Sequence, residues 1–76
     1  MPEDPVYKIV ELVGTSEDSI SDAIDNAIMK ASRSLRHLGW FEVKEMRGSI
    51  IEGEVGRYQV TIKAGFTLED IAEDEE

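Results

Sequence analysis

Trp40 and Gln59 are the two side chains best suited to hold a ligand, and the ligand they suit is planar. An indole turned outward offers a flat π-face on which an aromatic ring stacks with energy beyond simple area burial. A glutamine amide offers an acceptor and two donors, matching the imide edge of a flavin or the Watson–Crick edge of a base. A surface tryptophan also serves to plug a contact between subunits, where the residue is enriched. The residue pattern supports both readings of Trp40.

Other chemistry is poorly provided for. The chain has no Cys and one His. His37 falls in a basic stretch at an expected helix end, where it caps carbonyls rather than acting as a base, and no nucleophile is placed for it. A single His without Cys also argues against structural zinc. Glu42 and Glu45 read as a solvated strand edge rather than an acid/base pair. Gly14-Thr15-Ser16 before a helix offers N–H groups to an anion. It lacks the Lys and spacing of a P-loop, so it reads as plain capping. The expectation is a binding protein, not an enzyme, with no catalytic residue and no metal ligand.

Three strands and one helix must position these side chains. Val6–Val13 reads as a strand with Val6, Val10 and Leu12 on one face and Tyr7, Ile9 and Val13 on the other. Thr15 or Ser16 is the expected cap of a helix running from about Glu17 to His37, with Gly39 as its αL exit. Its apolar stripe is Ile20, Ala23, Ile24, Ala27, Ile28, Ala31 and Leu35, at three- and four-residue spacing.

Trp40–Ile51 reads as the second strand. Alternation puts Phe41 and Val43 toward the helix, and Trp40 and Glu42 away from it. The later apolar residues Met46 and Ile50 are even-numbered, so one phase cannot bury both sets, and a bulge or bend is expected near Lys44-Glu45. A connection over 52–56 leads to a third strand, Arg57–Leu68, with Tyr58, Val60, Ile62, Ala64, Phe66 and Leu68 inward and Gln59 outward. The order is β-α-β-β: an α+β fold whose three-stranded sheet is antiparallel throughout if the third strand lies in the middle, with a right-handed crossover and one amphipathic helix on one face. The other face carries Trp40, Gln59 and apolar residues of the first strand with nothing to cover them, which argues for assembly.

Composition narrows the partners. At 76 residues the chain makes one small domain, and without disulfides or zinc the remaining common source of stability is oligomerisation. The net charge of -9 is concentrated at the ends. Residues 69–76 hold six acids, while 5–68 hold nine acids against eight bases. Such a body has no basic stripe for nucleic acid, and no apolar run approaches a membrane span. The start Met-Pro-Glu-Asp-Pro has no signal-peptide character, so a cytoplasmic location is expected.

The run Tyr7-Lys8-Ile9-Val10-Glu11-Leu12-Val13-Gly14-Thr15-Ser16-Glu17, the stretch Leu38-Gly39-Trp40-Phe41-Glu42-Val43-Lys44-Glu45-Met46-Arg47-Gly48, and Tyr58-Gln59-Val60 together resemble the dodecins. The resemblance covers Val6 to Leu68. It implies a dodecin-like domain over 6–68; outside it, Pro2 and Pro5 keep an N-terminal segment over 1–5 extended, and the acids make a C-terminal tail of 69–76.

Dodecins are small β-α-β-β proteins that form hollow homododecamers and bind flavins as stores or scavengers. The resemblance implies that Trp40 stacks on an isoalloxazine ring, with two flavins between two symmetry-related Trp residues, and that Gln59 hydrogen-bonds the ring. Glu45 would lie beside the site and Arg47 would meet an FMN phosphate. FMN is the expected flavin, with riboflavin or FAD as alternatives. Association with coenzyme A is also implied, although Thr67 stands where some relatives carry an Arg. The rival readings are a carrier of coenzyme A or mixed nucleotides, and a purely structural oligomer with Trp40 as interface filler.

Overall fold

The computed structural model describes residues 4–68. The N-terminal residues 1–3 and the acidic tail over 69–76 lie outside the described residues. Four elements follow in order: β1 (Tyr7–Ser16), α1 (Ile20–Ala31), β2 (Leu38–Ile51) and β3 (Glu54–Thr67). The sheet order is β1-β3-β2, antiparallel throughout, which meets the condition that the third strand lie in the middle.

α1 lies on β1 and β3. Ala23 and Ala27 of the helix meet Val60 and Ile62 of β3, all buried, with Leu12, Ile20, Ile24 and Ile28 around them. Small residues on the helix bring its backbone close to the sheet, and Gly14 completes the approach. A Cβ at Gly14 would collide with the Ala23 carbonyl and stand 2.9 Å from Ala27 Cβ.

β1 therefore runs farther than expected, through Gly14, Thr15 and Ser16. The Ser16 hydroxyl accepts from Asp18 N at 2.8 Å and donates to Asp22 Oδ2 at 2.8 Å, so it builds the turn instead of capping the helix. Ser19 is the N-cap, accepting from Asp22 N at 3.0 Å. These hydroxyls take up the N–H groups of Asp18, Ser19 and Asp22, so the turn is closed by its own side chains.

The helix is also shorter than expected at its other end. It stops at Ala31, where the Ser32 hydroxyl bonds the Met29 carbonyl at 2.9 Å and two further turns end at Leu35. A serine bonding back to a carbonyl competes with helix continuation. His37, not Gly39, takes the left-handed conformation (φ 65). Gly39 belongs to β2, and the His37 carbonyl accepts from Thr67 N at 3.2 Å.

The β2–β3 connection is tighter than the expected five residues. Ile51 pairs with Glu54 across Glu52-Gly53, whose φ values of 51 and 80 make a two-residue turn of the primed kind. The resulting hairpin of two 14-residue strands gives a molecule 60 × 20 × 14 Å.

β2 is nearly bare. Phe41, Val43, Met46 and Ile50 on the helix side, and Trp40 on the other, are all exposed. On β1, Tyr7, Ile9 and Val13 are exposed on the face away from the helix, as expected from their spacing. Among the described residues the buried apolar core is Ala23, Ala27, Ala31, Val60, Ile62 and Ala64, four of them alanines, so this fold leaves apolar surface on both faces for other molecules or copies to cover.

Candidate functional site

The expected bulge is present, and it decides which side chains share the outer face. Glu42 pairs with Lys63, Val43 with Ile62, and then Glu45 with Thr61, leaving Lys44 as the extra residue. From Trp40 to the bulge, even-numbered residues of β2 face away from the helix; after it, odd-numbered ones do. The bulge thus puts Glu45 and Arg47 on the face that already holds Trp40. Without it, Met46 would take that place and Arg47 would turn toward the helix side.

Glu45, Arg47 and Gln59 form one cluster. Arg47 pairs in register with Gln59 and donates Nε–H to its Oε1 at 2.9 Å. Its Nη1 stands 3.7 Å from Glu45 Oε2, both side chains being more than half exposed. The arginine takes the Gln59 acceptor and leaves the amide N–H groups free to donate to another molecule.

Trp40 lies elsewhere on the same face. It pairs with Gly65, six residues along β3 from Gln59, or about 20 Å of strand at roughly 3.3 Å per residue. The indole covers Gly65 so closely that a Cβ there would collide with its benzo ring. Tyr7, reaching in from β1, meets it edge-on with centroids 5.9 Å apart and planes at 65°. Trp40 remains 40% exposed. Of the four expected site residues, one protomer brings three together and holds the fourth six residues away along the ladder.

Tyr7 and Gly65 were not singled out from sequence. The available signal was that Gly65 is the residue without a side chain in an outward set otherwise made of Gln59, Thr61, Lys63 and Thr67.

Lys44, freed from the ladder by the bulge, crosses β3 to Glu11 of β1, with Nζ 2.7 Å from Oε2. The bond to Lys44 holds the Glu11 carboxyl below its usual range, and the Glu11 carboxylate raises the Lys44 ammonium.

A cleft of about 620 Å³ runs beside β1 past Gly14, Asn26 and Lys30, and none of the expected site residues lines it. His37 lies in the α1–β2 connection rather than at a helix end. Among the described residues no cluster of His, Asp or Glu is arranged for a metal, and no helix is long and apolar enough to cross a membrane.

The family model of the dodecins matches residues 6–69. This chain belongs to the dodecin family. Its sequence is 57% identical over 65 residues to the dodecin of Thermus thermophilus, covering 86% of this chain and 94% of the relative. Among solved structures, a Thermus thermophilus protein superposes with a TM-score of 0.84 at 55% identity, over 88% of this chain and 98% of that one. The dodecin from Streptomyces coelicolor gives 0.86 at 45% identity, over 91% and 99%. The β-α-β-β order and the antiparallel three-stranded sheet derived above are those of the dodecin fold.

Proposed function

We propose that this dodecin is a flavin store: a homododecamer that takes up FMN, stacks it on Trp40 and quenches its excited state. The single observation that carries the reading is the indole itself. It is backed by Gly65, flanked by Tyr7 and left 40% exposed, which is the arrangement of a platform rather than of a core residue.

The residues present suit a flavin on condition that two copies meet. Trp40 supplies the stacking face of one copy. Gln59, its acceptor held by Arg47, presents amide donors to a ring carbonyl on a neighbouring copy. Arg47, with a guanidinium of five donors only partly used, suits the phosphate of FMN. Assembly is then a condition of binding, and the exposed apolar surface on both faces supplies a physical drive for it.

Protection follows from contact. Indole is an electron-rich donor, and in van der Waals contact it gives an electron to a photoexcited ring and recovers it at once, releasing the energy as heat. No bond is made or broken, so the protein acts as a binder and not as an enzyme. The purified oligomer should extinguish the emission of FMN on titration, with a midpoint that survives dilution into physiological salt. Undiminished emission at saturating protein would overturn the reading, and retention of coenzyme A instead would favour the nucleotide-carrier alternative.

A further inference from the structure

We propose that Tyr7 and Gly65 are positioning residues that set the plane of the Trp40 indole, and with it the slot a planar ring must enter. This rests on reading Trp40 as a stacking platform. Gly65, on the central strand, is the floor: it pairs with Trp40 in register, is itself buried, and lacks the Cβ that would meet the benzo ring. Tyr7, on the far edge strand, is the wall. It pairs with Thr67 and presents its ring edge-on to the indole, the geometry that aromatic quadrupoles favour.

A tryptophan on a strand has two side-chain torsions free to vary. The floor limits how far the indole leans toward the sheet, and the wall stops it from swinging along the strands. A platform held still before the ligand arrives loses less freedom on binding, an advantage of roughly two- to tenfold in affinity for one side chain. Three strands thus hold one plane: β2 supplies it, β3 supports it and β1 aligns it.

Trp40 is the only Trp, so the long-wavelength near-ultraviolet circular dichroism of the ligand-free oligomer reports its immobilisation alone. Tyr7→Phe should keep that band and riboflavin affinity, because the edge contact needs the ring and not the hydroxyl. Tyr7→Ala should weaken the band and lower riboflavin affinity roughly three- to tenfold. In Gly65→Ala the indole must lift by more than roughly 1 Å, since Cε2 and Cζ2 lie nearer the new Cβ than Cη2, itself 2.9 Å away, and ordinary contact needs about 3.5–4.0 Å. Riboflavin binding should then be lost while the oligomer persists.

An unchanged band in Tyr7→Ala, with unchanged riboflavin affinity, overturns the proposal. If the unaltered protein binds no riboflavin, the flavin reading falls and the dichroism of Tyr7→Ala alone decides the positioning role. If Gly65→Ala does not assemble, the two Tyr7 variants decide it.

Discussion

Lys44 and Glu11 sit on the two opposite edge strands, yet their side chains meet at 2.7 Å across the outer face of β3. The bulge makes this possible, because the extra residue of β2 is released from the ladder. Both groups are about half exposed, so the pair contributes little and less in salt.

The sign of its pH dependence follows from the shifts. Glu11 has its carboxyl lowered in the fold by the bond to Lys44, so the contribution is present above the unfolded value of 4.5 and fades as pH falls through the lower folded value. Lys44 is raised, so on the alkaline side the contribution is lost only as pH climbs through a folded value above 10.5. Glu11→Gln should flatten the acid limb of a melting-temperature profile slightly, and only at low ionic strength. An equal flattening in concentrated salt would assign the effect to another carboxylate.

Gly14→Ala should be among the most damaging single-methyl changes. The new Cβ meets backbone of α1 rather than a flexible side-chain tip, so the helix must lift off β1. The expected loss is about 1–3 kcal/mol in urea unfolding, the range for overpacking a close contact. A loss below about 0.5 kcal/mol would mean that the helix rides more loosely than its contacts indicate.

Glu52→Asn should stabilise the hairpin. Glu52 holds φ 51, a left-handed conformation that asparagine tolerates better, and Asn-Gly is the favoured pair for this turn. The gain should be about 0.5–1 kcal/mol with ligand binding unchanged. A destabilised variant would show that the Glu52 side chain has a partner in the assembly.

The ligand variants separate electron donation from edge recognition. Trp40→Phe should bind flavin with incomplete quenching, because Phe stacks but donates poorly. Gln59→Ala should quench what it binds but bind about two- to tenfold more weakly, the equivalent of one or two hydrogen bonds at roughly 0.5–1.5 kcal/mol each. Trp40→Ala should keep the oligomer and lose the flavin; collapse into unfolded chains would make the indole interface filler.

Assembly should be inseparable from folding. With so small a buried core and apolar residues exposed on both faces, dilution should lower the melting temperature and should not release a stable folded monomer. A well-folded monomer in light scattering would contradict both this and the two-copy site.

Local periodicity was enough to read much of this protein. Alternation in 57–68 placed Gln59 outward, and the phase conflict between Val43 and Met46 put the bulge near Lys44-Glu45, whereas the central place of β3 was decided by strand pairing. Three- and four-residue spacing identified the helix but not its ends, since Ser16 and Ser19 both suit a cap and only packing shows that Ser16 is held in the turn. What alternation cannot measure is distance along a ladder. It told that Trp40 and Gln59 share a face, whereas the register of β3 against β2 set them six residues apart. The same limit hid Tyr7, Gly65 and the Lys44–Glu11 pair, each of which joins strands through β3. Side-chain direction is written in neighbouring residues; which distant residue stands opposite is decided only when the strands pair.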